Sequence, residues 1–408
     1  MKIKTFSKDF LYTFGSQIVM NAIQHLFVFP WINKTSGPET AGRILACLSI
    51  VYIFSTSLGN GMTSVRLIEE RKNNGTNGDY LTLLSCGSLF IYLVVLVAKH
   101  YGFDPQVSIW WFALLAILNM IRTYGVVDFR IHLHFSAYFI FYILISIGYA
   151  IGVLIYKQTN NWTHIFISGE ILGILMLYFR KYIFDLKKPS DKLAYLGKAV
   201  TLLFLSALMI QIIVSGDRLI LKYILGDRVV TIYSSLSLAA KIMNMVVLPL
   251  GTLLLSYITA KTIPLTKKWL FKISSVWVGF CLLAFIGTCI VSPIYVYLFY
   301  NNLYDEIQGL NIIVNAGLGL ALIGFFFRIY LIASSSASIV FWFETFCTVT
   351  HLIVAVILTR KYGMFGYAWA VIISRAMRAA IGSVLTLYYV NKYELNALKE
   401  ATPASEQS

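Results

Sequence analysis

Glu170, Lys241, Arg375 and Arg378 lie inside stretches that are otherwise almost wholly apolar: ISGEILGILMLYF (167–179), SLSLAAKIMNMVV (235–247) and YAWAVIISRAMRAAIGSV (367–384). An ionised side chain in such a setting is costly, so it faces a cavity or a partner and marks a candidate site. Arg375 and Arg378 are three residues apart, which puts two guanidiniums on one helix face, and Lys241 and Asn244 repeat that spacing. With a rise of 1.5 Å per residue, Lys241 lies roughly 18 Å, Arg375 roughly 17 Å and Glu170 roughly 12 Å into its helix. Arg66, Arg122 and Arg328 fall near the ends of theirs. The chemistry of this set is the binding of charge: guanidinium and ammonium groups supply charge-assisted hydrogen bonds to phosphate oxygens. Glu170, Asp217 and Glu344 are the competing carboxylates, as ion-coupling groups or as structural salt-bridge partners.

The run QIIVSGDRLILKYILG (211–226) carries Asp217 and Arg218 side by side. Neighbours in a helix do not face each other, so each is expected to find its own surroundings. Arg218 is read as snorkelling toward headgroups, Asp217 as pairing with another helix or facing a cavity. Polar residues also recur at helical spacing, with Gln17, Asn21, Gln24 and His25 in one run, Asn119 and Arg122 in another, and Asn311 and Asn315 in a third. Such stripes either join neighbouring helices by hydrogen bonds or line a cavity.

Other chemistries find little support. His132 and His134, two apart, would face different ways on a helix, and no carboxylate or cysteine completes a metal set. There is no Walker loop, and GNG at 59–61 lacks the strand–turn–helix context of a nucleotide site. Cys47, Cys86, Cys281, Cys289 and Cys347 form no CxxC pair and are read as buried small hydrophobes. No cofactor is expected.

The elements that must position these residues are membrane helices. Of the 408 residues 58% are hydrophobic and 12% charged, well beyond the composition of soluble domains. Twelve apolar runs approach the roughly 20 residues that a bilayer core requires: 8–32, 41–64, 80–98, 107–125, 137–156, 162–180, 199–221, 229–259, 271–291, 309–330, 339–359 and 364–390. They are continuously apolar, unlike the alternating strands of a membrane barrel. The first begins behind MKIKTFSKDF without a signal-peptide pattern and is read as retained. The net charge of +15 reads as the positive-inside rule, not as nucleic-acid binding. Most cations gather at Lys2, Lys4 and Lys8, at Arg71 and Lys72, along 180–198, and at Lys261, Lys267, Lys268 and Lys272, which places both termini in the cytoplasm.

The basic connector 180–198 divides the runs six and six. The expected organisation is an all-α, polytopic chain with lobes at 1–190 and 191–395 and a cytoplasmic tail at 396–408. NKTSGPETAGRILACLSIVY (33–52) and KYILGDRVVTIYSSLSLAAK (222–241) align with Gly37 opposite Gly226, and ISGEILGILMLYF compares with ISRAMRAAIGSVLTLYY (373–389). Two such copies in one orientation imply a pseudo-twofold axis along the membrane normal.

Three stretches carry a family resemblance: Gly37-Pro38-Glu39 between two apolar runs, DRLILKYILGDRVVTIYSSLSLAAKI (217–242), and YGMFGYAWAVIISRAMR (362–378). In these the chain resembles the polysaccharide flippases, Wzx-type, of the multidrug/oligosaccharidyl-lipid/polysaccharide exporter superfamily. The resemblance implies two six-helix lobes around a central cavity in the bacterial inner membrane. It also implies alternating-access transfer of undecaprenyl-diphosphate-linked oligosaccharide, destined for O-antigen, capsule or exopolysaccharide, to the outer leaflet. From their charge, polarity and depth, substrate contacts are expected from Lys241, Arg375, Arg378, Arg122, Arg66, Asn21 and Asn244, and the resemblance implies that an acidic residue recurs at the place of Asp217. Membrane lipids, and a glycan polymerase with its chain-length machinery, are the partners it suggests. The rival functions are a cation-coupled drug exporter of the same superfamily, which would want deep carboxylates, and a membrane glycan polymerase or ligase, which would need a sizeable outer site.

Overall fold

The computed structural model describes residues 3–70, 75–181, 188–259 and 264–401. Lys2, Arg71, Lys72, Lys261 and residues 402–408 lie outside the described residues, as do the side chains of Lys4, Lys8 and Gln17. Every extended element among the described residues is helical, and the chain divides into two compact units, Met1–Lys222 and Tyr223–Ser408. The division falls later than the expected boundary at 190/191, so most of the helix beyond the connector belongs to the first unit.

The first unit contains α1 (Ile3–Ala22), α2 (Phe29–Val51), α3 (Ser57–Glu70), α4 (Asn77–His100), α5 (Ile109–Gly125), α6 (Val127–Ile131), α7 (Phe135–Thr159), α8 (Thr163–Arg180) and most of α9 (Leu193–Leu225). The second contains α10 (Asp227–Leu236), α11 (Leu238–Thr259), α12 (Lys267–Phe299), α13 (Leu310–Ser334) and α14 (Ala337–Ala401). Nine helical runs among the described residues are long and apolar enough to cross a membrane. Two of them, Leu11–Glu70 and Ser338–Leu395, have 60 and 58 residues, about three times the length that one crossing needs.

Both long runs are broken at a glycine. Gly37 has φ 86° and ψ 164° and Gly363 has φ 63° and ψ −142°, conformations closed to side chains with a Cβ. No atom lies within 4 Å of where a Cβ would sit at either position, so backbone angle and not space demands glycine. The gaps expected at 32–41 and 359–364 are these breaks. Across Gly363 the halves of α14 meet: His351 Nδ1 lies 2.7 Å from Ser374 Oγ, and Arg378 Nη2 donates to Glu344. Both pairs straddle the break, as in an antiparallel hairpin. Gly226, at the start of α10, adopts φ 92° and ψ 175°, nearly the angles of Gly37. The two glycines that the sequence places opposite each other thus make the same turn.

Sequence explains three further features. Pro293 inside α12 cannot donate to the carbonyl four residues back, and Asn311 Nδ2 of α13 supplies that hydrogen bond to Cys289 O at 2.8 Å. The Asn311/Asn315 stripe is therefore a helix-joining one, with Asn315 Nδ2 bonding Asn311 O at 2.9 Å and Ser292 reaching Asn315. Two Gly-x-x-x-Gly pairs, Gly148/Gly152 in α7 and Gly169/Gly173 in α8, press those helices together, since a Cβ on Gly148 would lie 2.5 Å from Gly169 Cα. Finally, Asp79 caps α4 through Thr76 N at 2.7 Å and also accepts from Ser190 N at 2.7 Å and Ser190 Oγ at 2.8 Å, which fastens the connector to the first unit. Cys86 departs from the expected burial: it lies on the face of α4 that also exposes Leu89, Leu93 and Val97.

Candidate functional site

In the first unit the charges close on one another. Glu170 is 1% exposed and Arg122 6% exposed, and Arg122 Nε donates to Glu170 Oε2 at 2.5 Å. Neutral donors complete the carboxylate: Asn119 Nδ2 at 3.2 Å and the Tyr149 hydroxyl at 3.5 Å, both on Oε1. Thr56 Oγ1 in turn donates to Asn119 Oδ1 at 3.0 Å. Gln24, also buried, hydrogen-bonds with Tyr52 and Tyr149. Helix geometry aims these groups. The glycine contact between α7 and α8 lays the Tyr149 ring against Gly169, where an added Cβ would meet it at 2.4 Å, and so delivers the hydroxyl to the adjacent Glu170.

Two π-helical stretches enter the same network. Ile23–Val28 carries Gln24, and Tyr52–Thr56 carries Tyr52 and Thr56. One extra residue per turn swings side chains off the regular register, and such bulges concentrate at functional sites. The guanidiniums of Arg122 and Arg218 and the Glu170 carboxylate all act electrostatically on the Tyr52 phenol. Arg218 is 9% exposed, and its Nε is buried without a hydrogen-bond partner among the described residues. Asp217 accepts from the Arg218 backbone N–H at 2.9 Å. Both are buried, so Arg218 does not reach out to headgroups as its place in the sequence suggests.

Arg66 is tied into helix packing. It is buried, donates to the Tyr124 hydroxyl at 2.9 Å and Glu70 at 3.3 Å, and lies 4.6 Å over the Tyr80 ring. Asn21 is half-buried on α1, and Lys241 and Asn244 are half-buried on α11.

The second unit holds an unequal set. Glu344 meets Arg328 Nε at 2.7 Å and Arg378 Nη2 at 2.6 Å from both carboxylate oxygens. Arg375, one turn from Arg378, has a buried Nε with no hydrogen-bond partner among the described residues. Arg378 repels it, while Glu344, Tyr367 and Tyr233 act on it from a distance. His351 and Ser374 form a buried pair nearby, and the rings of Tyr233 and Tyr367 meet edge to face, 5.0 Å apart. The set offers one carboxylate to three guanidiniums, an arrangement suited to binding an anion.

Of the residues singled out in the sequence, the structure brings together Arg122 with Glu170 and Arg328 with Glu344 and Arg378. It leaves Arg66 in separate packing. Sequence reasoning missed Tyr52, Thr56, Tyr149 and His351; the paired Gly-x-x-x-Gly motifs were a signal for Tyr149. The expectation that His132 and His134 face different ways is corrected. They sit in a turn, not a helix, because Leu133 takes φ 55°, and their rings stack at 5.7 Å.

No family model and no curated protein matches the chain. Solved structures do match. A multidrug-resistance MATE-family transporter of the MOP superfamily, in its inward-facing conformation, is 14% identical with a TM-score of 0.74, covering 95% of this chain and 96% of that one. An outward-facing MATE-family transporter of the same superfamily is 16% identical with a TM-score of 0.64, covering 97% of each chain. The lipid II flippase MurJ, in an inward closed conformation, is 18% identical with a TM-score of 0.69, covering 94% of this chain and 87% of that one. The protein therefore has the multi-pass, all-helical fold shared by MATE transporters and MurJ.

Proposed function

We propose that the protein is a transporter and not an enzyme, a flippase that moves an undecaprenyl-diphosphate-linked oligosaccharide from the cytoplasmic to the outer leaflet of a bacterial inner membrane. In this reading the chain crosses the membrane twelve times in two lobes, with both termini cytoplasmic. One observation carries it: the second unit sets Arg328, Arg375 and Arg378 against one carboxylate among the described residues, that of Glu344, and leaves a buried Arg375 Nε without a partner among them. A buried donor without an acceptor is unfavourable by about 1–3 kcal/mol, more when charged. A phosphate oxygen supplies the missing acceptor and the missing negative charge together. Lys241 and Asn244, in the same unit, are assigned to the same head group. The similarity in fold to MurJ, a lipid II flippase, supports a lipid as the transported molecule.

The test is glycan display. Cells in which the gene is deleted are expected to lose surface glycan and to accumulate lipid-linked units on the inner leaflet, whereas loss of a polymerase would leave single units displayed outside. Arg375→Ala should abolish display with protein retained in the membrane, and restoration by Arg375→Lys would assign the role to charge and not to forked geometry. Normal display in Arg375→Ala, Arg378→Ala and Lys241→Ala cells alike would overturn the reading.

Buried Glu170, with its ring of donors, supports a second reading, cation-coupled drug export, and the similarity in fold to a multidrug-resistance MATE-family transporter is consistent with the drug-export part of it. Efflux of a cationic dye lost in Glu170→Gln, with glycan display intact, would favour it.

A further inference from the structure

The turn between α6 and α7 belongs to neither charge set above, and its construction is unusual. Asp128 of α6 is buried and is met by Arg180 Nε at the end of α8 and by His132 Nδ1 at 2.9 Å. The same guanidinium lies 5.0 Å over the Phe129 ring and, through Nη2, is 2.8 Å from His134 Nδ1. An arginine only donates, so His134 presents its Nδ1 lone pair to Arg180. The two imidazoles are held stacked, at 17° between planes.

Charge and apolar surface then meet in one place. Asp128 is the lone carboxylate met by Arg180 among the described residues. Arg130, at the end of α6, and Lys181, directly after Arg180, are exposed and make no ion pair among the described residues. Leu133, held at φ 55°, is 68% exposed, and Phe179 is 77% exposed. A bulky side chain rarely occupies that backbone region, and in water nothing would compensate for displaying a leucine there. At the end of a membrane helix the acyl layer accepts the leucine and the phenylalanine, while cations beside them sit at phosphate depth.

We propose that the α6–α7 turn and the end of α8 bind the headgroup of an anionic phospholipid, with Arg130, Arg180 and Lys181 facing its phosphate and Leu133 and Phe179 entering the acyl region. The site concerns the resident lipid and does not depend on what the protein transports.

The unfolding midpoint of the full chain, purified in detergent, tests this. Phosphatidylglycerol, phosphatidylcholine and inorganic phosphate are each added at matched concentration. Phosphatidylglycerol should raise the midpoint several degrees above phosphatidylcholine, and high salt should erase most of that difference. The double substitution Arg130→Gln/Lys181→Gln, at two exposed positions, should remove most of the difference and leave the phosphatidylcholine midpoint unchanged. Equal midpoints with both lipids, or a full difference in the double variant, would overturn the proposal; so would inorganic phosphate reproducing the shift, which would assign the site to free anions.

Discussion

In the first unit Glu170 meets one guanidinium, that of Arg122, and a ring of neutral donors, so the charges of that pair cancel, while Arg218 nearby keeps a buried Nε without a partner among the described residues; in the second, Glu344 meets two guanidiniums at once while a third, on Arg375, has a buried Nε without a partner among the described residues. The contrast shows that a buried cation is informative through its accounts with its neighbours, not through its depth. Arg122 and Arg375 both stand in the sequence as arginines within apolar runs, the second with Arg378 one turn on. Packing makes the first a structural partner and leaves the second short of an acceptor. The first unit also surrounds its pair with two π-helical stretches and a glycine-zipped helix pair, devices that fix geometry. Around Arg375 the corresponding fixed points are the His351–Ser374 pair and the Gly363 break.

The largest effect is expected where a neutral pair is broken. Glu170→Ala strands Arg122 in a buried site and should cost about 3–5 kcal/mol, read as loss of folded protein in detergent or a sharply lowered unfolding midpoint; the double variant Glu170→Ala/Arg122→Leu should recover much of it. A midpoint equal to wild type in Glu170→Ala would dissolve the contrast between the units. Next comes the glycine contact that aims Tyr149. Gly148→Val should separate α7 from α8 and lower membrane yield, with overpacking typically costing about 1–3 kcal/mol. Gly279→Ala on α12, where a Cβ meets nothing within 4 Å, is the control expected to be silent.

A smaller loss should follow Asn311→Leu, which leaves the Cys289 carbonyl without the donor that Pro293 denies it; about 1–2 kcal/mol is expected. Restoring the helix's own donor with Pro293→Ala in that background should return most of the stability. The smallest effect on folding belongs to Arg375→Ala, since its Nε has no hydrogen-bond partner to strand among the described residues. Its midpoint should match or slightly exceed wild type while transport is lost, and a large fall in stability would show that Arg375 is as structural as Arg122.

Much of the fold was legible in the sequence. Apolar runs of bilayer length follow from hydropathy alone, and the Gly37/Gly226 correspondence foretold two positions with nearly the same dihedral angles. The break at Gly363 fell in an expected gap, because a glycine beside Arg360 and Lys361 interrupts the apolar pattern. Illegible were the partners. Glu170 and Arg122 are 48 residues apart and Arg378 and Glu344 are 34 apart, and no local pattern says which distant helix will present a carboxylate. The π-helical register shifts were hidden as well: they arise from packing against neighbouring helices and leave no composition mark in IQHLFV or YIFST.

What the sequence determined by itself was the solvent: a chain this apolar, with so few charges, must place its helices in lipid. What tertiary structure alone decided was the fate of each buried charge. Coulomb energy in a low-dielectric interior depends steeply on separations of a few ångströms, and those separations exist only once helices far apart in the chain have packed together.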